Sequence, residues 1–280
     1  MQSREFPLTI ADLQQMKRAG PKIVGVVAWD YQIAQIVDRA GVDIISVGDS
    51  VGTNLWGRPS PLDVTMDEMV LVCRAVRYGV KRAIVSCDVP YGPLQQGIDS
   101  ALEAATRLVK EAGADMIKLD GAADFPEAVR AITRAGIPVF AQFGITPQTA
   151  LRYGLSYDDL LKPGAQAPAA MTSQFVEEAR SLERAGASLL DFTLSGPVAG
   201  PAVVSAVSIP VVGGLGGGPW LDGRMRMAHA AIGYAAAALD SKTETYANVA
   251  RVTLGAITAY AEDVRAGRQI KGGISVSPAP

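Results

Sequence analysis

Four segments of the chain repeat one pattern, Ala-Gly followed by a short apolar run, and this repeat limits the folds available to it. The segments are DRAGVDIISVGD, KEAGADMIKLDG, TRAGIPVFAQFG and ERAGASLLDFTL. Glycine after a helical segment is typical of a helix C-terminus, and an unbroken apolar run is typical of a strand buried on both faces. Each unit therefore predicts a helix followed by a buried, parallel strand.

Three further apolar runs predict strands, and they bring the number of predicted strands to seven. They are KIVGVVAWD at 22–30, RAIVSCDVP at 82–90 and IPVVGGLGGG at 209–218. We expect an eighth strand at AAIGYA, 230–235, although its alanines suit a helix equally well. Segments such as SALEAATRLVKEAG, with apolar residues three and four apart, predict helices between the strands.

Alternating strands and helices require a parallel sheet, and the number of units decides its form. Seven or eight units in about 250 residues favour a closed (β/α)8 TIM barrel over an open doubly wound sheet. We expect one domain over residues 1–280, with an N-terminal extension at 1–20 and a C-terminal helical region at about 240–270.

Charge and cysteine content exclude several classes of protein. The net charge is −2 and the pI about 5.5, and the lysines and arginines are scattered, so we expect no nucleic acid and no membrane surface as partner. Cys73 and Cys87 are too few for a disulfide framework, which fits a cytoplasmic protein. No stretch of about 18 apolar residues is present to span a bilayer. The expected partners are small molecules and copies of the chain itself.

Polar residues end several predicted strands, where TIM barrels place their active sites. Asp49, Asp88 and Asp120 end three strands, and Gln142 and Thr193 come at or near the ends of two more. A single aspartate at such a position is usually a helix cap or turn residue. Three carboxylates at one barrel mouth repel each other unless a cation or protons neutralise them, and Mg²⁺ prefers oxygen ligands. The pattern therefore predicts a metal site.

Several longer segments resemble the ketopantoate hydroxymethyltransferase family, which belongs with the phosphoenolpyruvate mutase and isocitrate lyase barrels. The match runs almost without gaps from about residue 21 to 235 and includes KIVGVVAWDYQIAQIVDRAGVDIISVGDSVG, RAIVSCDVPYG, RAGIPVFAQFGITPQ and SIPVVGGLGGGPWLDGRM. The resemblance implies transfer of a hydroxymethyl group from methylenetetrahydrofolate to the enolate of a Mg²⁺-bound 2-oxo acid, in pantothenate biosynthesis.

The resemblance also implies roles for individual residues. The metal-associated carboxylates of the family correspond to Asp49, Asp88 and Asp120, the last of which is glutamate in the family. Ser50 and Lys118 correspond to residues that hold the substrate carboxylate. The alternative for Lys118 is a surface lysine at a strand edge. This alternative is disfavoured because lysines are rarely buried in a strand unless their charge is paired.

Two positions depart from the family and affect the proton-transfer chemistry. The glutamate base of the family corresponds to Thr193, and a substrate-site histidine corresponds to Gln142, which hydrogen bonds but does not titrate. Asp191, two residues before Thr193, would share its face of the strand and could replace the base, since burial raises a carboxyl pKa. Alternatively, Asp191 is a hydrogen-bonded structural residue or faces outward. The only histidine, His229, is interpreted as structural.

Two loops and the C-terminal region complete the predictions. The glycine-rich segment 213–223 lacks the acidic residue of a dinucleotide fingerprint. The family resemblance implies that this loop closes over substrate or folate. Segment 161–174 is predicted to be a flexible lid. The family assembles as a decamer, so we expect a homo-oligomer, and the alanine-rich C-terminal helix would offer an apolar face to another subunit or to its own barrel.

Three functions remain open from the sequence. The first is Mg²⁺-dependent hydroxymethyl transfer to a 2-oxo acid with a displaced base. The second is a Mg²⁺-dependent C–C lyase or decarboxylase, since decarboxylation needs no proton-abstracting base. The third is a catalytically inactive binding protein, which is disfavoured because such a protein has no reason to keep Asp49, Asp88, Asp120 and Lys118 together.

Overall fold

Eight strands form the core of the computed structural model, which describes residues 7–272. In chain order they are β1 Ile23–Val27, β2 Ile44–Val47, β3 Ile84–Asp88, β4 Met116–Leu119, β5 Val139–Gly144, β6 Leu189–Thr193, β7 Val211–Val212 and β8 Gly223–Met227. They form one sheet in the order β7-β6-β5-β4-β3-β2-β1-β8, and the neighbouring strands from β1 to β7 pair in parallel.

Helices separate most of the strands, as the repeat predicts. They are α1 Ile10–Ala19, α2 Tyr31–Arg39, α3 Val51–Asn54, α4 Met66–Gly79, α5 Ile98–Ala112, α6 Pro126–Arg134, α7 Tyr157–Leu161, α8 Thr172–Arg184, α9 Gly196–Ala206, α10 Ala228–Ile232 and α11 Val249–Arg265. The glycine of each Ala-Gly pair has φ between +75° and +99°, which only glycine adopts readily. The Ala-Gly repeat therefore marks the turns from helix to strand.

Backbone hydrogen bonds bring the two ends of the sheet together. The Asp222 N–H donates to the Val211 carbonyl at 2.8 Å, and the Met225 N–H donates to the Gly213 carbonyl at 3.2 Å. Residue numbers increase in the same direction on both segments, so β8 runs parallel to β7. The sheet is thus a nearly closed (β/α)8 TIM barrel, which confirms the predicted fold class.

The eighth strand differs from the prediction. It is formed by Gly223–Met227, whereas the alanine-rich segment 230–235 that we expected to be a strand begins with the last three residues of α10. Alanine favours helix. Arginines at alternate positions hide the apolar pattern of β8, and Gly223 is required because a Cβ there would lie 2.3 Å from the Ile23 carbonyl oxygen.

Side chains inside the barrel form layers, because every second residue of a strand points inward. The lowest layer is wholly apolar and takes one residue from each strand together with Leu13 of α1: Ile23, Ile44, Ile84, Met116, Phe140, Leu189, Val212 and Met225. The predicted N-terminal extension at 1–20 therefore includes a helix that contributes to the barrel core, and residues 1–6 lie outside the described part of the chain.

The chain divides into two compact units, one up to Arg226, which contains the barrel strands to that point, and one from Met227 onward. In the second unit, the buried His229 ring packs edge-to-face on Tyr234, with centroids 4.5 Å apart, which supports a structural role. Helix α11 lies in the predicted helical region at 240–270. The expectation of one domain stays a prediction. Among residues 7–272, no helix is both long enough and apolar enough to cross a bilayer.

Candidate active site

The polar residues predicted from strand ends lie in the layers above the apolar core. The next layer, two residues further along the strands, contains Lys118, Gln142 and Asp191. The layer above it, another two residues along, contains Asp88, Asp120 and Thr193. The side chains of all six are buried or nearly so. The inward register of Asp191 excludes its outward-facing alternative, since Leu189 on the same face belongs to the barrel core.

Lys118 joins two carboxylates on different strands. Its Nζ atom lies 3.6 Å from Asp88 Oδ2 and 3.3 Å from Asp191 Oδ2. Burial lowers the pKa of Lys118, but Asp88, Asp191, Asp120 and Asp49 together raise it above its ordinary value. The ammonium therefore stays charged, and the alternative of a surface lysine at a strand edge is wrong.

Gln148, which the sequence analysis did not single out, links two of the predicted metal carboxylates. Its Nε2 donates to Asp49 Oδ2 at 3.0 Å, and its backbone N–H donates to Asp120 Oδ2 at 3.3 Å. The residue follows β5 in the Ile-Thr-Pro-Gln segment that contributes to the family resemblance. Its position just beyond the end of a strand could have indicated a site residue. A neutral amide in a loop, however, forms no charge pattern that predicts a metal or substrate site.

Burial and mutual repulsion make the three carboxyls unusually basic. Burial is the largest cause in each case and raises the pKa of Asp49 to about 6 and those of Asp88 and Asp120 to about 7. The charge of Asp120 adds to the shift at Asp49, and the charges of Asp49 and Asp191 add to that at Asp88, while Lys118 opposes all three. The site thus favours protonation or a cation.

The oxygen atoms available at the site suit a hard cation. Asp88 Oδ1 and Asp120 Oδ1 are buried without a hydrogen-bond partner among the described residues. Within residues 7–272, no three His, Cys, Asp or Glu side chains come together as a complete metal cage. Mg²⁺ commonly takes only one or two protein carboxylates and fills its remaining positions with water or substrate oxygens. The two unpartnered oxygens are therefore of the chemical type that Mg²⁺ binds.

Ser50 lies beside this carboxylate cluster. A Cβ atom at Gly48 would lie 2.9 Å from Ser50 Oγ and 3.7 Å from Asp88 Oδ2, so the absence of a side chain at Gly48 leaves room for both groups. The backbone carbonyl of Ser50 accepts hydrogen bonds from Thr53 Oγ1 at 3.1 Å and Asn54 Nδ2 at 2.8 Å. These bonds fix the turn that follows β2.

Thr193 and Gln142 form a neutral pair opposite the charged cluster. Gln142 Nε2 donates to Thr193 Oγ1 at 2.9 Å. Asp191 is the register partner of Gln142 on the neighbouring strand, and burial raises its pKa although Lys118 and the Gly214 N–H oppose the rise. Of Gln142, Asp191 and Thr193, Asp191 is the one carboxylate and therefore the one side chain of the three that can act as a base.

Comparison with known proteins identifies the family. The model of the family described as ketopantoate hydroxymethyltransferase matches residues 7–269. A 3-methyl-2-oxobutanoate hydroxymethyltransferase from Pyrococcus abyssi is 36% identical over 249 residues, which cover 88% of this chain and 84% of that protein. The chain belongs to the ketopantoate hydroxymethyltransferase family. Another relative of the same name, from Cyanothece sp., is 36% identical and covers 92% of this chain and 96% of its own length.

Solved structures agree on the fold. Phosphonopyruvate hydrolase in complex with oxalate and Mg²⁺ matches with a TM-score of 0.57 at 16% identity, over 92% of this chain and 88% of that one. A 2,3-dimethylmalate lyase, described as a member of the PEP mutase/isocitrate lyase superfamily, matches with a TM-score of 0.59 at 13% identity, over 95% and 91% of the two chains. At such identities the likeness concerns the barrel alone.

Membership of the ketopantoate hydroxymethyltransferase family makes the protein an enzyme of the hydroxymethyltransferase type. Its relatives do not favour the lyase that the sequence left as an alternative. The structure brings Asp49, Ser50, Asp88, Lys118, Asp120, Gln142, Asp191 and Thr193 to the interior and mouth of one barrel. The individual roles expected for them stay predictions.

Proposed function

We propose that this protein transfers a hydroxymethyl group from methylenetetrahydrofolate to the enolate of a 2-oxo acid, with Mg²⁺ bound at Asp88 and Asp120. The observation that carries the proposal is the pair of buried, unpartnered carboxylate oxygens beside a charged lysine, in a chain of this family. When bound, Mg²⁺ would act as a Lewis acid that stabilises negative charge on the keto oxygen of the substrate. Asp49 is linked to Asp120 through Gln148 and would keep the Asp120 side chain in position beside the metal.

Lys118 and Ser50 would bind and orient the oxo acid. The Lys118 ammonium is a charged donor at the level of the carboxylate cluster, and charge-assisted hydrogen bonds to a substrate carboxylate are stronger than neutral ones. Asp88 lies on the other side of this ammonium from Asp191 and limits its movement. A substrate carboxylate held by Lys118 therefore lies next to Asp191.

Asp191 would take the proton from the carbon beside the keto group. Thr193 stands where the family has its glutamate, and a neutral hydroxyl is a poor base. Asp191 lies one layer deeper in the barrel, its buried carboxyl carries a raised pKa, and it contacts Lys118 at 3.3 Å, so accepting a proton there neutralises a buried negative charge. Gln142 and Thr193 would then contact the substrate by hydrogen bonding without exchanging protons.

The overall reaction balances with one water molecule. The carbon–hydrogen bond of the oxo acid breaks, a carbon–carbon bond forms to the methylene carbon, and both carbon–nitrogen bonds of the methylene bridge break. Water supplies the hydroxyl oxygen, and its two hydrogens together with the substrate proton end on the product hydroxyl and the two folate nitrogens.

A labelled assay tests this proposal. The protein is incubated with Mg²⁺, 2-oxoisovalerate and methylenetetrahydrofolate carrying a ¹³C methylene group, and the product is followed by NMR. We expect a ¹³C hydroxymethyl signal bonded to the oxo acid, absent when Mg²⁺ is replaced by chelator and reduced in Asp88→Asn. Unlabelled cleavage products in place of this signal would reject hydroxymethyl transfer and favour C–C cleavage. We further propose, by family resemblance, that the protein works as a cytoplasmic homo-oligomer.

A further inference from the structure

A cavity lies among the loops that follow β5, β6 and β7. Its volume is about 390 Å³, and its lining includes the glycine loop from Gly214 to Gly217, the start of α9 and the side chains of Arg224 and Arg226. Gly214 lies next to both sites, because it lines the cavity and its backbone N–H lowers the pKa of the Asp191 carboxyl. A ligand in the cavity therefore lies near Asp191.

The charge of this cavity is positive and uncompensated. Among the residues that the structure describes, neither arginine forms an ion pair, and the lining of the cavity contains no aspartate or glutamate. Lys162 also lines it, but its ammonium pairs with Asp159 at 2.5 Å, so the excess charge belongs to the two arginines. Burial lowers the pKa of Arg224, and the charge of Arg226 lowers it further, against an opposing effect of Asp191.

The glycine loop allows the Arg224 guanidinium to lie directly against its backbone. Arg224 donates to the Gly214 carbonyl at 3.3 Å, and a Cβ atom at Gly217 would lie 2.4 Å from Arg224 Nη1. Leu194 holds the loop in place with a left-handed backbone, φ +57°, and donates its N–H to the Leu215 carbonyl at 2.8 Å. Non-glycine residues in this conformation are strained and cluster at ligand sites.

The helix that begins at the cavity adds to its positive potential. Helix α9 starts at Gly196, and the N-terminus of a helix carries a partial positive charge that favours anions. Loops after the seventh and eighth strands of TIM barrels, together with a helix N-terminus, are a recurrent place for anionic groups. Two unpaired arginines give this cavity a donor set that matches carboxylate or phosphate oxygens.

We propose that Arg224, Arg226 and the glycine loop bind an anionic group, a carboxylate or a phosphate, of a ligand whose remaining part extends toward Asp191. The carboxylates at the end of a folate cosubstrate are one source of such a group, and this source rests on the proposed function. A phosphate group is the other source and is independent of it.

Binding measurements distinguish the sources without using catalysis. Isothermal titration calorimetry is done with inorganic phosphate, and separately with tetrahydrofolate carrying one or three glutamates. The variants are R226Q and R224Q, and the matched control is the double variant R130Q/R134Q, which removes two exposed arginines from α6. Thermal unfolding checks that each variant is folded. R224Q also loses the hydrogen bond to the Gly214 carbonyl, so if R224Q is unfolded the test relies on R226Q.

We expect wild type and control to bind at least one probe and R226Q to bind it roughly tenfold more weakly or worse, since a charge-assisted hydrogen bond is lost. Tighter binding of the triglutamate form, lost in R226Q, assigns the cavity to folate carboxylates. Phosphate binding lost in R226Q, with equal affinity for both folates, assigns it to a phosphate group. Absence of binding by both probes, or equal affinity in R226Q and wild type, would overturn the proposal, whether or not the protein transfers hydroxymethyl groups.

Discussion

At the scale of single residues, the positive charge of Lys118 offsets part of the negative charge of the aspartates buried in the barrel. Four aspartates raise its pKa, and it lowers the pKa of each of them in return. The lysine is the one cation on the interior face of β1 to β7 within the described residues, so its loss would leave the carboxylates to protonation or metal alone.

We expect Lys118→Met to weaken binding of the 2-oxo acid by roughly 2 to 3 kcal/mol, because a charge-assisted hydrogen bond is removed while the side-chain length is largely kept. Titration calorimetry with 2-oxoisovalerate in the presence of Mg²⁺ measures this. Lys110→Met, on the exposed side of α5, removes an equal charge and serves as control. Unchanged affinity in Lys118→Met would show that the lysine is not the substrate anchor.

Asp120 predicts a pH dependence of stability in the metal-free protein. Burial raises its folded pKa to about 7 from an unfolded value near 3.8, so the folded state binds more protons than the unfolded state between these values. The stability that protonation provides is complete below pH 4 and is lost as the pH rises to 7 and above. Mg²⁺ should reverse this loss by neutralising the ionised carboxylates.

We therefore expect Asp120→Asn to raise the metal-free unfolding free energy at pH 8 by roughly 1 to 3 kcal/mol, the desolvation cost of an unsatisfied buried oxygen. The same variant should lose most of the stabilisation by Mg²⁺. Urea unfolding at pH 5 and pH 8, with and without Mg²⁺, measures both effects, and the exposed Asp158→Asn is the control. A variant less stable than wild type at pH 8 without metal would contradict this account of the site.

At the scale of elements, helix α1 completes the barrel core from outside the strands. Leu13 packs in the lowest interior layer, and Lys17 Nζ pairs with Asp222 Oδ2 at 2.9 Å. The same Asp222 oxygen accepts the Val211 N–H at 2.9 Å, next to the point where β7 and β8 meet. The helix therefore supports the closure of the sheet.

Leu13→Ala should lower the free energy of unfolding by about 2 to 5 kcal/mol, because it leaves a cavity in a fully packed layer. Affinity for Mg²⁺ should stay unchanged, since the site lies in the layers above. Urea unfolding measures the first effect and calorimetry the second. Leu151→Ala is the matched control, because that leucine is 76% exposed and its loss should cost about 0.5 kcal/mol or less. Equal destabilisation by the two variants would argue against a core role for α1.

Elements with a strong local pattern were predictable from the sequence, and elements made by packing were not. The Ala-Gly units and the apolar strands from β1 to β7 follow directly from residue type. Strand β8 was missed because alternate arginines and a glycine carry no strand signal, and the role of α1 was missed because one leucine reaching into a barrel leaves no periodic pattern.

The convergence of Asp49, Asp88 and Asp120 was predictable, since parallel strands end at one rim. Gln148 was not, because only the folded loop brings it between two of them.

At the scale of the whole molecule, helix α11 presents an apolar stripe that is far from buried. Ile257, Tyr260 and Val264 lie on one face of the helix and are 60%, 53% and 51% exposed. Contiguous exposed apolar surface is typical of contact sites between subunits. The stripe is therefore the surface at which we expect copies of the chain to meet if the proposed homo-oligomer forms.

We expect Ile257→Arg to lower the assembly state, because it places a charge in the centre of the apolar stripe. Sedimentation velocity measures the mass distribution of wild type and variant at equal concentration. Thr258→Arg, which adds the same charge to the same helix outside the stripe and one turn before Glu262, is the matched control. A wild-type protein that sediments as a monomer, or an assembly unaffected by Ile257→Arg, would reject this stripe as a subunit interface.

Hydrogen exchange on the substrate tests the central claim, that this site forms the enolate of a 2-oxo acid with Asp191 in place of the family's glutamate. Proton NMR follows loss of the hydrogen beside the keto group of 2-oxoisovalerate in D₂O with Mg²⁺. We expect exchange by wild type, a fall of roughly 10²- to 10⁴-fold in Asp191→Asn, and recovery when Thr193→Glu is added to that variant. Exchange by Asp191→Asn at the wild-type rate would contradict the assignment of the base. Absence of exchange in wild type, Thr193→Glu and the double variant would contradict the enolate chemistry itself.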